Sequence, residues 1–124
     1  VGMCLTGNFA MTLIADDAVL AAVASQPSLP APHMSSEEIS AARKALDEKG
    51  AMHAYRFESD KLCTAAHFRT INRAFNDNAE RVCLHTLPGK GHSVFTIDFD
   101  PADGPTVDAL RQIIDYFGTH LTDT

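Results

Sequence analysis

GMCLTG, residues 2–7, decides the fold: a cysteine with a glycine two residues before it stands at the start of a helical pattern. This arrangement is typical of a nucleophile elbow, a strained strand-to-helix turn that excludes bulky neighbours, here with Cys in place of Ser. Cys4 would project over the N-terminus of a helix, whose dipole favours the reactive thiolate. Because only Val1 precedes the motif, we expect the chain to begin within a fold, truncated at the elbow.

The composition is that of a globular protein with the length of one domain. The chain has 124 residues, 45% of them hydrophobic and 21% charged, with a net charge of -6 and no run of Lys or Arg. Nucleic acid and anionic membranes are therefore poor candidate partners. No apolar stretch reaches the length of a membrane span, and no signal peptide is visible. Three cysteines without disulfide-like spacing favour free thiols and a cytoplasmic location.

Helical and strand patterns alternate along the chain. Apolar spacing, a capping box at Ser35 and Glu38 and breakers such as Gly50 predict helices over 5–15, 36–49, 65–75 and 105–121. Apolar runs predict strands over 18–24, 52–57 and 81–87, with a proline-rich loop over 26–33. Strands separated by single helices imply a parallel sheet. We therefore expect an α/β fold with about three strands flanked by helices, one partial domain over residues 1–124, with an open sheet edge.

The final helix carries apolar residues at helical spacing. We expect its inner stripe to consist of Val107, Leu110, Ile114, Phe117 and Leu121.

Three reactive residue types follow predicted strands. Cys4 stands at the exit of the strand that enters the elbow, Asp60 follows strand 52–57, and His92 follows strand 81–87. Catalytic groups of open parallel sheets gather at the carboxyl ends of the strands. We therefore expect these three side chains to meet at one edge of the sheet.

Their chemistry fits acyl transfer. Cys4 would attack an acyl carbon as a thiolate, and His92 would move the proton. Asp60 would hold the imidazole in the required tautomer. The backbone N–H of Leu5, directly after the nucleophile, would supply one oxyanion-hole donor.

Each residue also has a structural alternative. Asp60 would serve equally as a helix N-cap, since residues 61–67 lead into a helix. His92 is compatible with an ordinary turn position, and Glu58 is a rival acid. For Arg56 we expect a pair with Glu58, the alternative being contact with a substrate carboxylate.

The other cysteines suit packing better than chemistry, Cys83 as a small hydrophobe in an apolar strand. A zinc site would combine the Cys63/His67 and Cys83/His85 pairs with His92. That spacing matches no familiar zinc module, so we expect no metal.

Four segments carry a resemblance to a known family: GMCLTG (2–7), SQPSLP (25–30), YRFESD (55–60) and LPGKGHS (87–93). With them the sequence resembles the C-terminal half of the dienelactone hydrolase family, α/β-hydrolases with a Cys nucleophile. The order nucleophile, acid, base is the one that α/β-hydrolases use. The resemblance implies hydrolysis of small esters or lactones without metal or organic cofactor, and Cys4, Asp60 and His92 match the family triad.

Two departures bear on the substrate and the turn. Many family members have Gly where Thr6 stands. Members that act on dienelactone bind its carboxylate with arginines, one of them shortly after the catalytic His, and residues 93–98 contain none. The resemblance therefore implies an ester or lactone hydrolase without assigning dienelactone as its substrate.

Two other classes of function stand beside the hydrolase. The loop that normally gives the second oxyanion donor is not in this chain, so we expect weak or absent turnover by the isolated chain. The chain would then be a non-catalytic piece that associates, with itself or another fragment, through its open sheet edge. A thiol redox protein is a third class, but the sequence has no C-x-x-C.

Overall fold

The computed structural model describes residues 1–28, 33–102 and 104–122. In these ranges strands and helices alternate: β1 (Gly2–Met3), α1 (Leu5–Leu13), β2 (Val23–Ser25), α2 (Ser36–Lys49), β3 (Met52–Phe57), α3 (Ala65–Phe75), β4 (Val82–Leu87) and α4 (Gly104–Leu121). The α/β class is confirmed. The loop predicted over 26–33 falls partly on residues 29–32, which lie outside the described residues.

All strands of the described sheet are parallel, in the order β1-β2-β3-β4. Met3 pairs with Ser25, and Ser25 pairs in turn with Tyr55. The described sheet has one strand more than the three predicted, because Gly2–Met3 adds a short edge strand. The carboxyl ends of all the strands therefore meet at one edge, where Cys4 follows β1.

Strand β2 is shorter than the predicted strand over 18–24. A turn occupies the first part of that range, because the side chain of Asp16 accepts the N–H of Ala18 and its carbonyl accepts the N–H of Val19. Lys49 closes the turn by donating to the carbonyls of Asp16 and Val19 at 2.8 and 2.9 Å. Because these polar contacts hold the start of the apolar run in a turn, strand β2 begins only at Val23.

The helix boundaries follow the sequence signals closely. Ser35 caps α2 with both bonds of the capping box, and Gly50 follows its last residue with a φ of +97°. Helix α3 occupies the range predicted for it. Among the described helices, none is long and apolar enough to cross a membrane.

Helices cover both faces of the sheet. Helices α1, α2 and α3 share one buried cluster with the sheet, which includes Met11, Ile14, Leu46, Met52, Phe68, Ile71 and Phe75. Helix α4 covers the other face through Val23, Tyr55, Phe57, Val94, Ala109, Ile113 and Tyr116. Strand β2 is buried along its whole length, which agrees with the continuous apolar run that leads into it.

The predicted inner stripe of α4 is wrong by one position. The buried residues are Thr106, Ala109, Ile113 and Tyr116, whereas Leu110, Ile114 and Leu121 are exposed by 36, 60 and 49%. Polar contacts select the inner face: Thr106 donates to the carbonyl of Asp100, and the hydroxyl of Tyr116 accepts the N–H of Ala22. Counting apolar residues alone therefore picks the wrong stripe.

Candidate active site

Cys4 lies in a sharp turn between β1 and α1, with φ +56° and ψ -121°. Residues other than glycine rarely adopt such a backbone and keep it only where their surroundings hold it. A Cβ on Gly2 would lie 2.2 Å from the carbonyl oxygen of Thr6, and a Cβ on Gly7 would lie 3.1 Å from the Cα of Pro27. Both glycines of the motif are therefore needed for the close approach of strand, helix and neighbouring loop.

The structure brings Cys4, His92 and Asp60 together. The Nδ1 atom of His92 lies 2.6 Å from Oδ2 of Asp60, and its Nε2 atom lies 3.1 Å from Sγ of Cys4. The Asp60 side chain is 1% exposed and that of His92 is 22% exposed. A sulfur, an imidazole and a carboxylate thus form one continuous hydrogen-bonded chain.

The ionisation of the pair follows from these contacts. Two side-chain hydrogen bonds lower the pKa of the Cys4 thiol: the bond to Ser28 has the larger effect, and the bond to His92 the next largest. Partial burial acts in the opposite direction, and a hydrogen bond from the Leu5 amide lowers the pKa further. Partial burial alone would lower the pKa of His92, but hydrogen bonds to Cys4 and Asp60 outweigh it and raise that pKa. Both shifts act in the direction of a thiolate–imidazolium pair.

Asp60 is not a helix cap. Its Oδ1 atom accepts the N–H groups of Leu62 and Cys63 at 2.8 and 3.0 Å, which ties the loop around the carboxylate. The N-cap of α3 is Thr64, whose side chain accepts the N–H of His67. One oxygen of Asp60 is thus anchored to the loop, and the other contacts His92.

Glu58 and Arg56 support the loops around the site. The carboxylate of Glu58 accepts the N–H of Gly89, in the turn that precedes His92. Arg56 is buried, and it donates to the carbonyls of Cys63 and Glu58 at 2.7 and 3.0 Å. Arg56 bonds to the main chain of Glu58 and not to its carboxylate, so the expected ion pair does not form. Arg56 instead links the two sides of the loop that carries Asp60.

Asp98 holds the loop that carries His92, a contact that the sequence did not indicate. Its Oδ2 atom accepts the N–H groups of both His92 and Ser93 at 2.9 Å. These hydrogen bonds lower the pKa of Asp98. The glycine-rich turn before His92 signalled a tight loop, but nothing in its spacing named the distant carboxylate.

Ser28 is a second residue that the sequence analysis did not single out. Its Oγ atom lies 3.2 Å from Sγ of Cys4, on the loop that leaves β2. The segment SQPSLP marked this loop, but the last two residues of the segment lie outside the described residues. The position of Ser28 in the loop at the carboxyl end of a parallel strand was the available signal.

The remaining cysteines are separate from this site. Cys63 is fully buried in the cluster beneath α1–α3, and burial raises its pKa to about 12. Burial also raises the pKa of Cys83, on β4, to about 11.

The residues of the zinc alternative lie on different faces of the sheet. His85 stacks on Tyr55, which packs under α4 on the face opposite to Cys63. The residues of the zinc alternative thus do not gather, and within the described ranges no three His, Cys, Asp or Glu side chains form a metal-binding group.

One comparison places the chain among known proteins. The curated proteins contain no match to this sequence. The model of the dienelactone hydrolase family matches residues 1–121, nearly the whole chain. The chain therefore belongs to the dienelactone hydrolase family, whose members are α/β-hydrolases.

Proposed function

We propose that this protein is a hydrolase of small ester or lactone substrates, with Cys4, His92 and Asp60 as its catalytic triad. The observation that carries the proposal is the unbroken hydrogen-bonded chain from Asp60 through His92 to the sulfur of Cys4. Its order and roles are those of a nucleophile, a base and an orienting acid. A reducing, cytoplasmic setting belongs to the proposal, because oxidation inactivates a thiolate nucleophile.

Acylation uses the ionised pair. The thiolate of Cys4 attacks the carbonyl carbon, a C–S bond forms, and the carbonyl π electrons move to oxygen. The backbone N–H of Leu5 stabilises that oxyanion. When the intermediate collapses, the C–O bond to the alcohol breaks and Nε2 of His92 gives its proton to the leaving oxygen. The products are a thioester on Cys4 and an alcohol, which stays tethered when the substrate is a lactone.

Deacylation returns the site to its starting state. Neutral His92 takes a proton from water through Nε2, and the resulting hydroxide attacks the thioester carbon. The C–S bond breaks, the thiolate of Cys4 leaves and the carboxylic acid is released. Throughout, Asp60 accepts the Nδ1–H of His92 and so keeps Nε2 free for the proton.

An activated ester tests the first half of this reaction without requiring turnover. On addition of p-nitrophenyl acetate we expect release of p-nitrophenolate together with one acetyl group on the peptide that contains Cys4, read by mass spectrometry. Cys63 and Cys83 are internal controls, since burial keeps their thiols protonated. Loss of the acetyl group in Cys4→Ala and His92→Ala would support the proposal. Acetylation of Cys63 or Cys83 in preference to Cys4 would contradict it.

Association of two copies is a second candidate function. Strand β1 is an edge of the described sheet, and beside it Leu5, Phe9 and Leu13 of α1 are 51, 46 and 55% exposed. A cavity of about 510 Å³ lies along the same side, between α1 and the segment around Val19. An apolar surface next to an open edge favours pairing with a second chain. Sedimentation equilibrium tests this: a mass that rises with concentration supports association, and a constant monomer mass contradicts it.

A further inference from the structure

Ser28 contacts the reacting sulfur. Its Oγ atom is 3.2 Å from Sγ of Cys4, a distance within hydrogen-bonding range for sulfur. We propose that Ser28 is a further catalytic residue, whose hydroxyl donates a hydrogen bond to the thiolate of Cys4 and keeps the sulfur ionised before it meets the substrate. This inference rests on the proposed function, because it assigns a task at the same nucleophile.

The hydroxyl is held in place by the backbone around it. The N–H of Ser28 donates to the carbonyl oxygen of Cys4 at 3.2 Å, and the N–H of Gly7 donates to the same oxygen at 3.0 Å. Pro27 is fully buried, and its Cα lies against Gly7 of the elbow. The loop that carries Ser28 is therefore attached to the elbow by main-chain contacts, which a change of the Ser28 side chain leaves available.

Gln26 connects the same loop to the loop of the base. Its N–H donates to the carbonyl of Tyr55 at 2.7 Å, and its backbone has a φ of +36°. Its side-chain oxygen accepts the N–H of Val94 at 3.3 Å, two residues beyond His92. Gln26 is only 2% exposed. A buried side chain thus joins the Ser28 loop to the His92 loop, while main-chain bonds join the Ser28 loop to the elbow, so the Ser28 hydroxyl is held relative to both Cys4 and His92.

Chemistry sets the direction of the hydrogen bond. A thiolate has no proton to donate, so in the ionised state the Ser28 hydroxyl is the donor and the sulfur the acceptor. The same bond is a leading cause of the lowered pKa of Cys4. In the thioester the sulfur carries no charge, so the bond weakens once the acyl group is attached. Ser28 therefore acts on the free thiolate, and its assistance is largest where the thiol would otherwise be protonated.

A matched pair of substitutions isolates the hydroxyl. Thr and Val have nearly the same shape, but only Ser28→Thr retains an O–H, whereas Ser28→Val replaces it by a methyl group. Titration of ultraviolet thiolate absorbance reports Cys4 alone below about pH 9, since the pKa of Cys63 is raised to about 12, that of Cys83 to about 11 and that of Tyr55 to about 12. We expect the titration midpoint of Ser28→Val to lie above those of Ser28→Thr and the wild type.

The pH profile of alkylation by iodoacetamide separates this role from a structural one. Where most of the thiol is protonated, we expect Ser28→Val to react about 2- to 5-fold more slowly than Ser28→Thr. On the high-pH plateau we expect it to react at least as fast, because a thiolate of higher pKa is the better nucleophile. The two profiles therefore converge or cross at high pH. A merely distorted site would instead lower the plateau of Ser28→Val, and that result would overturn the proposal.

The two proposals fail in different ways. Acetylation of Cys4 by p-nitrophenyl acetate together with equal midpoints for Ser28→Val and Ser28→Thr would overturn the role of Ser28 and leave the hydrolase intact. Separated midpoints without acetylation of Cys4 would support Ser28 and count against the hydrolase. Because the Thr and Val variants share their shape and the main-chain bond to Cys4, a difference between them reports the hydroxyl group.

Discussion

At the scale of single residues, the reactivity of Cys4 depends on the residues that shape the turn around it. The elbow holds a non-glycine residue at a φ of +56°, and Gly2 allows this because its hydrogen faces the carbonyl of Thr6. The hydroxyl of Thr6 adds to the turn, since it accepts the N–H of Met3 at 2.9 Å and donates to its carbonyl at 2.8 Å. Thr6, where many family members have glycine, therefore adds two hydrogen bonds that stabilise the turn.

Gly2→Ala tests that packing. The added Cβ would lie 2.2 Å from the Thr6 carbonyl oxygen and 2.8 Å from its carbon, both main-chain atoms. We expect the free energy of unfolding to fall by about 1–3 kcal/mol, as for overpacking elsewhere, and acetylation of Cys4 to slow as the elbow shifts. Urea unfolding and acetyl incorporation measure the two effects. Gly118→Ala is the control, since a Cβ there has open space; equal behaviour of both variants would contradict this account.

Asp60→Asn tests the orienting role of the acid. The amide oxygen can keep the bonds to Leu62 and Cys63, but an NH₂ group would then face Nδ1 of His92 and favour the wrong tautomer. We expect acetylation of Cys4 to fall about 10²- to 10⁴-fold, with a smaller effect on thermal unfolding. A variant that reacts at the wild-type rate would show that Asp60 is only a loop anchor.

At the scale of elements, each catalytic side chain sits on a loop whose shape is set by contacts of its own. The clearest example is the loop from Gly89 to Asp98, in which Gly89 and Gly91 have φ values of +118° and +113°. A Cβ on Gly91 would lie 2.6 Å from the carboxyl carbon of Asp98. The glycines allow the chain to fold back over that carboxylate, which then binds the N–H groups next to the base.

Asp98→Ala is expected to misplace His92 without unfolding the protein. Loss of both hydrogen bonds frees the start of the loop, and a displacement of the base of about 1 Å can reduce the rate up to about 100-fold. Acetylation kinetics of Cys4 measure the effect, and circular dichroism checks the fold. Asp115→Ala, which removes from α4 an acid that is also exposed, should leave the rate unchanged. Equal rates for the two variants would exclude a positioning role for Asp98.

The sequence predicted some elements to the residue and others poorly. Strand β3 and helices α2 and α3 were predicted at their observed bounds, because local signals such as the capping box at Ser35 define them. Strand β2 and the inner face of α4 were not, because they depend on tertiary contacts. The Lys49 bonds that close the turn before β2 and the Tyr116 hydroxyl that anchors α4 join residues far apart in the sequence.

At the scale of the whole molecule, a histidine pair under α4 couples stability to pH. The Nδ1 atom of His53 lies 2.9 Å from Nε2 of His85. Desolvation is the main cause that lowers the pKa of both residues. The charges of His85 and His120 lower the pKa of His53 further. The negative charge of Glu80 acts in the opposite direction on both histidines. Two protonated rings cannot share this hydrogen bond. The folded state therefore prefers the pair neutral.

The sign of the pH effect follows. A histidine whose pKa is lowered by folding contributes stability above its unfolded pKa of about 6.5, and that stability is lost as the pH falls through the folded value. His92, whose pKa is raised, contributes in the opposite direction. We expect urea unfolding to show a larger loss of stability on acidification in the wild type than in His53→Gln/His85→Gln, which leaves His92 unchanged. Parallel losses would contradict this prediction.

The candidate site was predictable in its main parts because parallel strands bring their carboxyl ends together. Cys4, Asp60 and His92 were proposed from their positions after strands, and their side chains lie within hydrogen-bonding distance. Ser28 and Asp98 were not proposed, since a hydroxyl or carboxylate in a loop acquires a partner only when the loops pack. Spacing predicts which edge of the sheet a residue reaches, whereas loop conformation decides which atom it contacts.

The most direct test of the central claim, an assembled Cys–His–Asp site, is the pH dependence of alkylation at each cysteine, read by peptide mass spectrometry. We predict that Cys4 reacts well below the ordinary thiol pKa of about 8.5, ahead of Cys63 and Cys83, and that His92→Ala moves the alkylation profile of Cys4 to higher pH. If Cys4 instead titrates as an ordinary thiol, or keeps its reactivity in His92→Ala, the thiolate–imidazolium pair is absent and the account is contradicted.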